Sequence, residues 1–240
     1  PSSTLDRSSA ASDVYKRQVS YPEGKKTITP AIEYPYGETP IVLDEQGRPL
    51  EHVALNATDS SLVVAGSAGS YLNVLSLSRE ENMMTGEVTS EQKRIELPQM
   101  TEPVKAIFID PRQQWLYVIN GRALADVFSL RDKSLNGRYK LLEDGNAEIT
   151  ASTQLVGGIS LIVGNSKGGL AQWFMARDPD GEQRLKQIRT FQMGTAPIVE
   201  ITAEERRKGF TALDASGKFG VFHSTAHRTL LVLSLIHISE

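Results

Sequence analysis

Short apolar runs alternate with small-residue turns along most of the chain, and the same phrase returns four times. An apolar strand opens each phrase and a polar turn follows. A second, more uniformly apolar strand comes next, then a small-residue turn and a third strand. A fourth strand closes the unit after a polar loop. The opening strands begin at Val53, Val104, Ile149 and Ile198, which are 51, 45 and 49 residues apart. The second strands read Leu62 to Ala65, Trp115 to Ile119, Ile159 to Val163 and Phe210 to Leu213. Runs this short, rich in β-branched and aromatic residues, suit central strands buried on both faces.

Each second strand ends in small or polar residues: Gly66-Ser-Ala-Gly69, Asn120-Gly121, Gly164-Asn-Ser-Lys-Gly-Gly169 and Asp214-Ala-Ser-Gly217. Gly and Asn reach the positive φ that tight hairpins require. The pattern then predicts third strands at Leu72 to Leu77, Asp126 to Leu130, Leu170 to Met175 and Phe219 to Phe222. Fourth strands are expected at Arg94 to Leu97, Arg138 to Leu142, Leu185 to Phe191 and Arg228 to Val232. Four strands per unit at a period of about 40 to 50 residues is the signature of a propeller blade. The expectation is an all-β chain, a WD40-like β-propeller fragment of about four four-stranded blades plus a partial blade. The partial blade is the hairpin around Tyr21 to Thr27. The strongest helix candidate, Ala203 to Lys208, is too short to be more than a charged turn.

The two ends follow no such phrase. Residues 1–18 and 233–240 resemble translated sequencing-adapter tails, most closely at Ser12-Asp-Val-Tyr-Lys-Arg-Gln18 and Ser234-Leu-Ile-His-Ile-Ser-Glu240. The expected organisation is an artefactual or disordered tail over 1–18, a partial propeller domain over 19–232, and a second artefactual tail over 233–240. The natural protein is then expected to continue beyond both tails.

Composition removes several functions. Lys and Arg total 26 against 29 Asp and Glu, a formal charge of −3. That balance offers no basic face to displace counterions, so no nucleic-acid partner is expected. With no cysteine, thiolate nucleophiles, disulfides and Cys-bearing zinc sites are absent. No stretch approaches the ~20 apolar residues of a spanning helix. Any membrane association is expected only through segments outside this chain.

The chemistry-bearing constellations resolve into structural readings. His223-Ser-Thr-Ala-His227 has the spacing of a helical zinc pair, but it falls between strands and lacks the Glu of that motif. Gly164 to Gly169 holds a Lys among glycines, yet the order is not that of a phosphate-binding loop, and a hairpin explains it better. Asp178-Pro-Asp-Gly181 opens like a calcium loop without the later ligands. Glu204 to Lys208 is a solvated charge run. Trp115 and Trp173 read as core residues. Met83 and Met84, in the expected loop from Arg79 to Lys93, are a hint of a contact surface. No catalytic, cofactor-binding or metal-binding residues are assigned, and no cofactor is expected.

Several stretches carry a family resemblance: Glu33 to Pro40, Ile109 to Trp115, Gly194 to Gly209 and Phe222 to Leu230. Across about Val19 to Val232 the wording resembles the PstC-type permease of the phosphate ABC transporter of pseudomonad-like bacteria. The resemblance implies an extracytoplasmic domain inserted after the first membrane helix of that permease. The implied location is the bacterial inner membrane, with this domain in the periplasm. The implied partners are the rest of the permease and its transporter subunits, with the periplasmic phosphate-binding protein a further candidate. The helices and docking loop that define the permease have no counterpart here, so no transport residue is carried over. The expected function is a non-enzymatic accessory domain of phosphate import. The alternatives are a propeller enzyme, such as a metal-dependent hydrolase or lactonase, and a cytoplasmic WD40-like scaffold. The enzyme would need ligands converging on the central channel, where the strand starts look mainly apolar.

Overall fold

The structure, a computed structural model, describes residues 42–225 apart from 59, 82, 86, 87, 99, 144 and 146, together with 19–20, 29–30 and 228–234. The chain divides into two compact units, Pro1–Pro40 and Ile41–Glu240. In the first unit β1 (Val19–Ser20) pairs antiparallel with β2 (Thr29–Pro30). The turn expected at Tyr21 to Thr27 lies outside the described residues.

The second unit is all-β, with no helix among the described residues. It holds four four-stranded antiparallel sheets, each built from consecutive strands in chain order. The first sheet is β3 (His52–Ala57), β4 (Ser61–Ala68), β5 (Tyr71–Glu81) and β6 (Val88–Ile95). The second is β7 (Val104–Ile109), β8 (Trp115–Asn120), β9 (Leu124–Ser129) and β10 (Ser134–Lys140). The third is β11 (Ile149–Gln154), β12 (Ser160–Asn165), β13 (Gly169–Arg177) and β14 (Gln183–Gln192). The fourth is β15 (Ile198–Ala203), β16 (Gly209–Asp214), β17 (Lys218–His223) and β18 (Arg228–Ser234).

Strand alternation makes these sheets stack in chain order. In β8, Leu116 and Val118 join Val63, Ala65 and Val74 of the first sheet in one core. Their neighbours Tyr117 and Ile119 point the other way, into a core with Leu161, Val163 and Trp173 of the third sheet. In β12, Ile162 turns to the fourth sheet, beside Phe210, Ala212 and Phe222. Successive side chains of a strand lie on opposite faces. A central strand between two cores must therefore be apolar at every position, which is why these runs show no alternation in sequence. Three rings fasten the last core: Phe210 stacks on Phe222 at 5.1 Å, and Phe191 meets both edge-on at 5.5 and 5.4 Å.

The turn after each second strand shows why Asn or Asp stands there. Asn120 Oδ1 accepts from the N–H groups of Arg122 and Leu124 at 3.0 and 3.2 Å. Asn165 Oδ1 accepts from Lys167 and Gly169 at 2.8 and 3.0 Å. Asp214 Oδ1 accepts from Ser216 and Lys218, both at 2.9 Å. Each oxygen satisfies two N–H groups that the sheet cannot reach. Ser67 takes the same register position in the first sheet, opposite the first residue of β3, and its buried Oγ has no partner. Each turn also holds one residue at positive φ: Gly69 at 59°, Ala123 at 58°, Gly168 at 75° and Gly217 at 80°.

In the last three sheets the first strand carries one extra residue beside its start, where the register shifts between Val104 and Ala106, Ile149 and Ala151, and Ile198 and Glu200. Such bulges increase local twist and re-aim side chains. Side-chain staples add to the stacking. Gln113, itself at φ 54°, donates through Nε2 to the carbonyls of Asn56 and Ser61 at 2.9 and 3.2 Å. Gln154 Nε2 likewise reaches the Ile109 carbonyl at 3.0 Å.

The outer elements differ from the sequence expectation. The segment Arg79 to Lys93, expected as a loop, is mostly strand: β5 runs to Glu81 and β6 starts at Val88. The fourth strand expected at Arg138 to Leu142 is Ser134–Lys140 instead. Leu141 and Leu142 lie past its end, both buried, with Leu141 N–H bonded to the Ala123 carbonyl at 2.9 Å. Outer strands face water and read as polar, so their limits follow the hairpin register and leave no apolar mark. β18 also runs into the segment expected to be a foreign tail: Leu233 pairs with Phe219, and Ser234 with Lys218.

Candidate functional site

The first strands of three sheets line one opening of about 580 Å³. Glu51, His52 and Val53 come from the first sheet, Lys105 to Phe108 from the second, and Ile149 to Ser152 from the third. Val53, Ala106, Ile107, Phe108, Ile149 and Ala151 are the apolar residues among these strand starts, and polar groups stand between them. Glu51, His52, Lys105, Thr150 and Ser152 put a carboxylate, an imidazole, an ammonium and two hydroxyls at the opening. Lys105 and Thr150 are the extra residues of the two bulges, and both are exposed. Alternation places both outward beside Val104 and Ile149; that the first strands of three sheets meet at one opening is a property of the folded arrangement, which no local pattern marks. Glu51 Oε2 accepts weakly from Gly69 N–H at 3.4 Å. The opening can hydrogen-bond a polar surface of mixed charge. Among the described residues no group of three or more His, Asp or Glu side chains is placed to hold a metal ion.

The structure disperses the constellations weighed from sequence. His223 ends β17, and its Nδ1 lies 3.0 Å from the Thr225 hydroxyl; His227 lies outside the described residues. Gly164 to Gly169 is the hairpin between β12 and β13, closed over Asn165. Asp178 and Asp180 sit in the turn between β13 and β14, where Asp178 pairs with Lys186 and, at 2.6 Å, with Arg184. The hydrogen bond from Lys186, then that from Arg184, holds the Asp178 carboxyl below the usual carboxylate range. Its oxygens are thus committed to cations of the chain itself. The run Glu204 to Lys208 is an exposed bend between β15 and β16. Trp173 is buried, and Trp115 packs half-buried against the same core.

One hairpin extends beyond its sheet. β5 and β6 remain paired from Val74 and Ile95 to Glu81 and Val88, while β4 covers β5 only as far as Ser78. The hairpin therefore overshoots its sheet by three residues of β5. Met83 and Met84 lie in its turn, 98% and 95% exposed. No helix among the described residues is long and apolar enough to cross a membrane. No family model matches the chain, and no curated protein matches it.

Proposed function

We propose that this chain is part of a WD40-like β-propeller that acts by protein contact rather than by catalysis. In this reading it is the periplasmic accessory domain of a PstC-type phosphate permease. Four sheets stacked in chain order, with the first strands of three of them gathered at one opening, support the propeller geometry. The resemblance of Val19 to Val232 supports the transporter. The observation that carries the contact role is the Met83–Met84 tip, two flexible apolar side chains held in water beyond the edge of a sheet. Exposed methionines suit adaptable docking, because the unbranched thioether fits many surfaces.

The test pairs the protein with the periplasmic phosphate-binding protein in a cross-linking and calorimetry series. Replacing Met83 and Met84 together by Glu should leave the melting temperature within about 2 °C, since neither side chain is buried. It should weaken the complex at least tenfold. Unchanged affinity would remove the hairpin from the interface. A one-site phosphate isotherm on the chain alone, or turnover in an ester and lactone screen, would replace the contact role by a receptor or an enzyme.

A further inference from the structure

Sulfur in this chain is confined to thioethers, since there are five methionines and no cysteine. Three of the methionines are built into the stack. Met100 is 7% exposed in the core shared by the first and second sheets. Met193 is 4% exposed in the core shared by the third and fourth. Met175 packs, partly buried, against the core between the second and third. The other two, Met83 and Met84, are neighbours in the turn of the β5–β6 arm, 98% and 95% exposed.

This distribution divides the sulfur into two classes. Oxidation of a side-chain sulfur follows the access of the oxidant to it. At Met100 and Met193 the cores shield the sulfur, and a sulfoxide there would set an unpaired polar oxygen among apolar side chains. At the tip the sulfoxide oxygen meets water. The turn lies beyond the part of β5 that β4 covers, so a reagent reaches both sulfurs without opening a core.

The arm is also biased in charge. Residues 80–91 hold four glutamates and no lysine or arginine, while the whole chain has a formal charge of only −3. Lys93, the first cation of β6, pairs with Glu91 at 3.1 Å, at the base of the arm. Negative charge lowers the local concentration of anions within a Debye length, about 10 Å at 0.1 M salt. Anionic oxidants are therefore disfavoured at the tip, and uncharged ones are not.

We propose that the Met83–Met84 tip is a reversible oxidation site for uncharged peroxides, and that oxygen transfer there weakens the contact the tip makes. The second half rests on the contact role given above. Each thioether sulfur attacks the distal peroxide oxygen. The O–O bond breaks, an S–O bond forms, sulfur gives up two electrons, and the other oxygen leaves as water or an alcohol. A thiol-dependent sulfoxide reductase reverses the step: two thiols become a disulfide and the oxygen leaves as water. Oxidation turns a flexible apolar side chain into a polar, chiral one, which fits an apolar partner surface poorly.

The experiment exposes the full chain to hydrogen peroxide and follows oxygen uptake by peptide mass. Trypsin, cutting after Arg79 and Lys93, places Met83 and Met84 in one peptide and each other methionine in a different one. The 80–93 peptide should gain oxygen about tenfold faster than those of Met100 and Met193, at about the rate of free N-acetyl-methionine. Peroxymonosulfate, an anion, should react there about twofold more slowly than with N-acetyl-methionine at low salt, and added salt should close the gap. Oxidation of the tip should leave the melting temperature within about 2 °C. It should weaken the complex with the periplasmic phosphate-binding protein about tenfold, and the two stereospecific methionine sulfoxide reductases together should restore it. Met83→Leu combined with Met84→Leu should abolish the response to peroxide. Oxidation spread evenly over the five methionines, a lower melting temperature, or a sulfoxide the reductases leave untouched would overturn the site. No deficit with peroxymonosulfate would overturn the role of charge. If the oxidised chain binds as tightly as the parent while the double Glu variant does not, the switch is wrong and the contact role stands. If the parent itself does not bind, contact role and switch fall together, and the peptide masses still decide the site.

Discussion

Replacing Gly168 by Ala tests how closely the third and fourth sheets approach. Gly168 has φ 75°, and a Cβ built there would lie 2.5 Å from the Gly194 carbonyl oxygen and 2.9 Å from that of Ala196. Both are backbone atoms of the segment linking the sheets, and Met193 N–H is tied back to the Gly168 carbonyl at 3.0 Å. The left-handed conformation costs an L-residue about 1–2 kcal/mol, and forced overpacking adds about 1–3 kcal/mol. A stiffer unfolded chain returns about 0.4–1 kcal/mol. The expected net loss is about 2–4 kcal/mol. Gly69 supplies the control, because it has φ 59° in the first sheet's turn with no atom within 4 Å of its added Cβ. Gly69→Ala therefore carries only the conformational part, about 0.5–1 kcal/mol. Ala123, at φ 58° in the second sheet, shows that the turn accepts a Cβ where there is room. Urea unfolding of both variants, with m-values compared, measures the difference. If Gly168→Ala costs no more than Gly69→Ala, the turn does not pack on the Gly194 backbone and the inter-sheet contact described here is wrong.

Two further outcomes follow from the same stack. Phe222→Ala removes the ring stacked on Phe210 in a fully buried site, so a loss of about 3–5 kcal/mol is expected by denaturant titration; a loss under about 1 kcal/mol would show that the core is loose there. Burial pushes the Asp214 carboxyl up, but the Ser216 hydroxyl and the N–H groups of Lys218 and Ser216 hold it below its ordinary value. A carboxyl depressed on folding stabilises above its unfolded pKa, about 3.9, and that contribution fades as pH falls through the folded value. Asp214→Asn keeps the turn-capping oxygen, as Asn120 and Asn165 do, but loses the charge, so it should lower stability modestly at pH 7 and flatten the loss below about pH 4. An unaltered acid limb would contradict the assignment.

The second strands and their turns were legible because each feature has one local cause. A strand buried on both faces is apolar throughout, as Leu116 to Ile119 are, and an Asx cap must sit at the strand end, as Asn120, Asn165 and Asp214 do. The outer strands were not, because Ser134–Lys140 is held by pairing with β9 rather than by a buried face of its own. The opening lined by Lys105 and Thr150 was missed because it is gathered from the first strands of three sheets, which only the folded arrangement brings together. The burial of Gln172, 4% exposed, was missed for a different reason. A polar residue in a strand reads as solvent-facing, and only three-dimensional register reveals it as the exception in a row of Leu75, Val127 and Val221.

The alternation within β8 restricts how such a chain can change in length. Leu116 and Val118 serve one core, while Tyr117 and Ile119 serve the next. Inserting or deleting one residue would exchange the two sets, sending a tyrosine where a valine fits and breaking both cores together. Substitutions can be absorbed one core at a time, but an indel in a second strand cannot. Growth is left to the hairpin arms, and there the sheets do diverge: β5 has 11 residues and β13 has 9, against 6 in β9. Individuality in this architecture accumulates at the periphery, where an added residue lengthens an arm without moving a core.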